Sequence, residues 1–535
     1  MTFYKIMFNK RIIWTLVLGA FTTFATAQQA APENWFNLDN KKDKIFGVST
    51  EEAYNKLLGS KKSTTVIVGV LDSGVDEDHE DLKNVMWINE DEIPGNGKDD
   101  DNNGYIDDIY GWNFIGGKDG KNVDVDSYEM TRVYKREKEK YEKMDEASMT
   151  EEQKKGYAEF LKLKADFMQK SVEARTMLEV YSKSLKRFEE IEKSVGKGEE
   201  MTIEDLKNYK PTDQKETAVI TKLISYLEMG IKYSDLKAEL TGAYKHFDEQ
   251  ANYAYNVDFD SRLIVGDNYD DQTEKNYGNN DVTGPDASHG THVAGIIAAQ
   301  RDNSLGVKGV ANNVRIMSVR CVPNGDERDK DVANAIRYAV DNGAKVINMS
   351  FGKAYNWNKT IVDEAVKYAE SKDVLLVHGA GNDSKDLDKN TNYPNPYMAT
   401  DNARASNWVE VGASSWIKGK SKLGDFSNYG KEKVDVFAPG VSIYSTIPGS
   451  KYASFDGTSM ASPCTAGIAA LIRSYYPDLT ASQVRTILMS SVVKVKGKVY
   501  FPGTKKATKM KNLCVSKGIV NAYKALEMAD KLSKF

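Results

Sequence analysis

Apolar residues in this chain run together where a sheet would be buried on both faces. Val66-Ile67-Val68-Gly69-Val70-Leu71 is unbroken and ends in Asp72, a pattern that suits a strand of a parallel sheet covered above and below. Residues 314–319, 345–349 and 374–377 repeat it. Residues 332–342 and 361–371, lying between them, carry helical spacing. Strands alternating with helices predict an α/β domain with a mostly parallel central sheet and helices on both faces, a three-layer arrangement.

Residues 126–250 change character. They hold no Trp, no Cys and one proline, Pro211, and are dense in Lys and Glu. Phe160, Phe167, Ala174, Leu178, Tyr181, Leu185 and Phe188 recur at helical spacing. Gly196 and Gly198 predict the end of that helix, Thr202 with Asp205 a cap opening a short one, and Val219, Leu223 and Tyr226 a further amphipathic helix. The segment reads as a helical hairpin or small bundle whose charges form its solvated face. It interrupts one α/β domain made of residues 61–125 and 251–535. As a surface it is a candidate for partner docking.

Composition narrows the classes. The chain has 535 residues, 40% hydrophobic and 28% charged, with a net charge of −5. That permits a sizeable core and gives no reason to expect nucleic acid as a partner. Lys5, Lys10 and Arg11, an apolar stretch over 12–24, and Ala25-Thr26-Ala27 predict a signal peptide over 1–27 and an exported protein, periplasmic or extracellular. Residues 28–60 form an N-terminal extension. No later stretch is apolar enough to span a membrane. Cys321, Cys464 and Cys514 match no metal-site spacing and read as packing residues.

The candidate chemistry sits at strand ends and helix starts, where open parallel sheets place their working residues. Asp72 and Asn382 follow strands. His289 opens Ser288-His289-Gly290-Thr291-His292-Val293-Ala294-Gly295, and Ser459 opens Gly457-Thr458-Ser459-Met460-Ala461-Ser462-Pro463. A serine hydroxyl needs a neighbouring base to become a nucleophile, and the base needs a carboxylate to orient it. The five histidines are His79, His246, His289, His292 and His378.

Asp72-Ser73-Gly74 and these two segments, in the order Asp, His, Ser, resemble the signature segments of the subtilisin-like serine proteases, the subtilases (peptidase family S8). The resemblance covers about 60–115 and 260–530. It implies the subtilisin-like fold, with Asp72 as orienting carboxylate, His289 as general base and acid, Ser459 as nucleophile, and Asn382 as oxyanion donor. It also implies that Ser350, Phe351 and Gly352, with Gly379 and Ala380, hold an extended protein or peptide substrate. A secreted serine endopeptidase is therefore expected. The alternatives are a narrowly specific exopeptidase or processing protease, and a calcium-dependent binding protein that uses the helical insert.

No organic cofactor is expected; structural calcium is. Asp99, Asp101, Asn103 and Asp107 offer oxygen ligands at alternate positions around Gly104. By the resemblance alone, Asp81 and Asn303 match ligands of a second calcium site. Two features depart from a minimal subtilase. The helical segment separates Asp72 from His289, and the extension ahead of the first strand is too short for the usual inhibitory prodomain.

Overall fold

The computed structural model describes residues 30–59 and 61–534; the expected signal peptide lies outside them. The described chain forms two compact units, one of residues 30–129 and 260–534, the other of 130–259.

The first unit is built on a nine-stranded sheet. Its labelled strands are β1 (Val66–Asp72), β2 (Gly111–Asn113), β3 (Val314–Arg320), β4 (Val346–Met349), β5 (Leu375–Gly379), β6 (Trp408–Ser414) and β7 (Val436–Pro439). The order across the sheet is Val493–Lys494, Gly518–Ile519, β7, β6, β5, β4, β1, β3, β2. Every pairing is parallel except that of Val493–Lys494 with Gly518–Ile519. β1 runs between β3 and β4, so both of its edges are paired and both faces buried, which is why its apolar run is unbroken.

The two faces carry different helices. Val66, Val68 and Val70 pack in one cluster with the Ser288–Ala298 helix (the histidine helix) and the Thr458–Tyr475 helix (the serine helix). Gly69 faces the other way, where a Cβ would lie 3.1 Å from Ala339 of the Asp329–Asp341 helix. The sheet is thus the middle of three layers. The serine helix crosses beneath β4 to β7 and packs against the histidine helix. Its small residues permit that approach: a Cβ at Gly467 would sit 2.6 Å from Val310. Cys464 is buried within it, and Cys321 and Cys514 are buried too, all three as free thiols. The N-terminal extension belongs to this core, with Trp35 and Phe36 fully buried in the cluster and Leu58 nearly so.

Buried ion pairs hold the places where this unit gives way to the second. Glu129 and Asp329 both pair with Lys353. Asp126 pairs with Arg328 at 2.7 Å. Arg262 bridges Asp267 and Asp331. Each of these charges is nearly water-free, so removing one partner would strand the other at high cost.

In the second unit, the 45-residue helix Glu151–Val195 starts with a capping box at Thr150 and ends where Gly196 turns left-handed. A second capping box, Thr202 with Asp205, opens Ile203–Asn208. Helices Gln214–Glu228 and Tyr233–Glu249 close a small core around Tyr181, Phe188, Ile191, Leu223 and Leu240. Among the described residues, no helix is long and apolar enough to cross a membrane.

Candidate active site

Asp72 is the last residue of β1, fully buried at the carboxyl end of the strand. Its Oδ1 lies 2.6 Å from His289 Nδ1 and also accepts the Ser73 N–H at 2.8 Å. The approach depends on the next residue. A Cβ on Gly290 would lie 2.0 Å from the Gly74 carbonyl oxygen and 3.1 Å from Asp72 Cβ, so only glycine lets the histidine helix start this close to the strand end. The bond to Asp72 engages Nδ1 and leaves Nε2 as the nitrogen that can serve as a base.

Ser459 occupies the first turn of the serine helix and is almost entirely buried. Its hydroxyl donates to the Ser350 carbonyl at 3.0 Å. The reverse bond, from Ser350 Oγ to the Ser459 carbonyl, is 2.8 Å. Asn348 Nδ2 donates to Ser350 Oγ, and Ser462 Oγ donates to Asn348 Oδ1. Four side chains thereby tie the start of the serine helix to the end of β4. The Ser459 hydroxyl rests on this network.

Asn382 follows β5. Its Oδ1 accepts both the backbone N–H of Thr458, at 2.9 Å, and the Thr458 hydroxyl, at 3.0 Å. Because a backbone N–H can only donate, the oxygen must face Thr458 and the amide NH₂ must face away from it. Thr458 thus aims Asn382, a role its place in Gly457-Thr458-Ser459 does not announce. Asn428 supports the same loop. Its Nδ2 donates to the Ala380 carbonyl, and its Oδ1 accepts from Asp383 N and Lys385 N. Nothing in its local sequence signals that.

Beyond β4 and β5 the residues expected to grip substrate lie on neighbouring strand ends, since Met349 and His378 are in register. Phe351 and Ala380 are buried. Asn392, unremarkable in the sequence, reaches between them: a Cβ on Gly352 would lie 2.8 Å from its Nδ2, and one on Gly381 3.6 Å. A Cβ on Gly379 would meet Thr458.

The remaining histidines are occupied elsewhere. His79 contacts the Lys451 carbonyl and accepts from Asp81 N. His378 is buried against Glu410, 3.1 Å from both carboxylate oxygens. His246 lies in the other unit beside Phe247. His292 is buried one turn along the histidine helix.

Of the acidic turn, Asp99 and Asp101 converge with Glu92, ligand atoms lying within 4.8 Å of one another. Glu92 stands upstream of the turn, outside the alternating pattern, and sequence reasoning missed it. Asn103 Nδ2 donates to Asp101 and Asp108, while the Asp107 carboxylate accepts from the backbone of Asn96 and Gly97. Converging carboxylates are the hard oxygen donors a divalent cation takes. Asn303 Nδ2 lies 2.7 Å from Asp81 Oδ1, so those two residues also meet.

A sequence model described as the subtilase family, Peptidase_S8, matches residues 63–513. A thermophilic serine proteinase of Bacillus sp. (strain AK1) is 42% identical over 41% of this chain and 48% of its own length. Subtilisin DY of Bacillus licheniformis is 40% identical over 40% of this chain and 73% of its own. Thermitase of Thermoactinomyces vulgaris is 40% identical over 45% of this chain and 75% of its own. The chain thus spans about half the length of the first of these relatives and roughly three quarters of the other two.

His292 generates a pH prediction. Its Nε2 lies 3.0 Å from the Ile443 carbonyl and 3.1 Å from that of Ala453, and its ring stacks on Phe455. Burial lowers its pKa from 6.5 to about 3. Above pH 6.5 it is neutral in both the folded and unfolded states and contributes no slope. As pH falls from 6.5 toward 3, the unfolded chain takes up a proton the folded one refuses, so stability is lost across that window. A His292→Gln chain keeps an amide donor without a titrating group. Its urea-unfolding free energy should fall less steeply over the same window, and an equal fall in both chains would contradict the assignment.

Proposed function

Because the chain belongs to the subtilase family, we propose that it is a serine endopeptidase that cuts peptide bonds with Asp72, His289 and Ser459. The observation that carries this reading is the 2.6 Å contact of His289 with a buried carboxylate, on a helix packed against the one that begins with the serine. Asp72 holds the imidazole in the tautomer with its proton on Nδ1 and stabilises the imidazolium formed later. Rotation of the Ser459 hydroxyl from the Ser350 carbonyl toward His289 Nε2 lets the base remove its proton as Oγ attacks the substrate carbonyl. The Asn382 amide, turned outward by Thr458, and the Ser459 N–H at the helix start supply donors to the oxyanion. His289 then protonates the leaving amine, and the acyl-enzyme is hydrolysed by the reverse proton path.

Substrate, in this reading, adds as an extended strand beside Ser350, Phe351 and Gly352, with Gly379 and Ala380 forming the opposite wall. Asn392 gives the pocket for the residue before the scissile bond a polar, narrowed floor. We assign a structural calcium ion to Glu92, Asp99 and Asp101, where it would offset the mutual repulsion of their carboxylates. Export follows from the N-terminal basic, apolar and small-residue pattern.

Three measurements test these assignments. Ser459→Ala should abolish casein hydrolysis with the fold retained, and Asn382→Leu should lower kcat ~10²–10³-fold, a magnitude that comes from subtilisin itself rather than from this geometry. Casein hydrolysis that survives in Ser459→Ala would end the reading. In peptide-library profiling, Asn392→Gly should shift preference before the scissile bond toward larger apolar residues; an unchanged profile would remove Asn392 from the pocket. A calcium chelator should lower the thermal midpoint of the wild-type chain more than that of Glu92→Gln, and equal or absent shifts would argue against the ion.

A further inference from the structure

The second unit contains a cavity of about 700 Å³ that the protease reading does not use. It opens between the helices Glu151–Val195, Gln214–Glu228 and Tyr233–Glu249. Its inner wall is formed by Tyr181, Phe188, Leu223, Tyr226, Leu236 and Leu240. The rim is cationic. Lys183 and Arg187 have carboxylate partners, Glu179 and Asp213. Lys186, Lys215 and Lys222 have no ion-pair partner among the described residues, although all three line the opening. Lys222 is the informative one, being half-buried with its pKa lowered by burial and nothing offsetting the loss of water. Two acidic residues also line the space. Glu190 is exposed, and Glu239, on the facing helix, has its pKa raised by burial.

From this arrangement we propose that the helical unit binds an anionic amphiphile, a single apolar chain ending in a carboxylate or phosphate. The chain lies against the aromatic and leucine wall, and the head meets Lys222 with Lys186 and Lys215 nearby. The volume falls within the range of small-molecule sites, roughly 300–1,000 Å³. A docked peptide helix about 10 Å across and three turns long would need more than ~1,000 Å³. A neutral apolar ligand would leave the half-buried Lys222 uncompensated, whereas an anion supplies the missing charge.

The test is calorimetric titration of the full chain with dodecanoate and, separately, dodecyl phosphate, both below their micelle concentrations. Dodecyl maltoside serves as the uncharged comparison and acetate as the chainless one. At least one anionic amphiphile should bind saturably at one site, with dodecyl maltoside and acetate at least about tenfold weaker. Comparing the two anions tells a carboxylate head from a phosphate one. Lys222→Glu reverses the charge at the head. Ala218→Trp fills the opening from an exposed position without touching the core. Each should weaken binding about tenfold or more. No saturable binding of either anion, equal affinity for the uncharged amphiphile, or unchanged affinity in both variants would overturn the proposal.

Discussion

An imidazole stays against a buried carboxylate only where two backbone segments approach closer than side chains ordinarily allow. Here that approach is the start of the histidine helix against the end of β1, with Gly290 pressed on the Gly74 carbonyl and Asp72 fully enclosed behind it. The remainder of the first unit serves this contact. β1 is fixed on both edges by β3 and β4, so the position of Asp72 is determined by seven registered pairs on one side and four on the other. The histidine helix is held from below by the serine helix, whose own start is tied to β4 through Asn348, Ser350 and Ser462. Carboxylate, imidazole and hydroxyl are therefore positioned by a single sheet and the two helices on one of its faces.

The same economy explains how an amide can be aimed without a dedicated support. Thr458 precedes the serine and offers both a backbone and a hydroxyl donor to Asn382. Whatever shifts the serine helix shifts the amide with it, keeping the Ser459 hydroxyl and the Asn382 amide in step. Buried ion pairs do comparable work at the edges of the second unit. Glu129, where the chain leaves the first unit, is paired with Lys353, and Arg262, where it returns, is held by Asp267 and Asp331. The lengthened connection between Asp72 and His289 is thus anchored locally at both ends.

Much of this was legible in the sequence because the signals are chemical or periodic. The unbroken run ending in Asp72, the small-residue helices opened by His289 and Ser459, and the alternation of strands and helices each reflect a local constraint, and the α/β fold with its parallel sheet follows from them. The Gly196 stop and the Thr202–Asp205 cap were readable for the same reason. Residues whose role arises only through tertiary approach were not. Asn392 and Asn428 are ordinary turn asparagines until folding sets them between Gly352, Ala380 and Gly381. Glu92 joins Asp99 and Asp101 only because the chain turns back on itself, a closure that the alternating pattern of the turn does not encode. The three-helix cavity is likewise a product of packing, since each of its walls reads alone as an ordinary amphipathic stripe.

The most direct trial of the central claim is the structure of the chain after reaction with a fluorophosphonate. The account predicts phosphorus bonded to Ser459 Oγ, with the phosphonyl oxygen about 2.7–3.1 Å from both Asn382 Nδ2 and Ser459 N, and with His289 still joined to Asp72. A label on any other residue, or an adduct whose oxygen points away from Asn382, would contradict it.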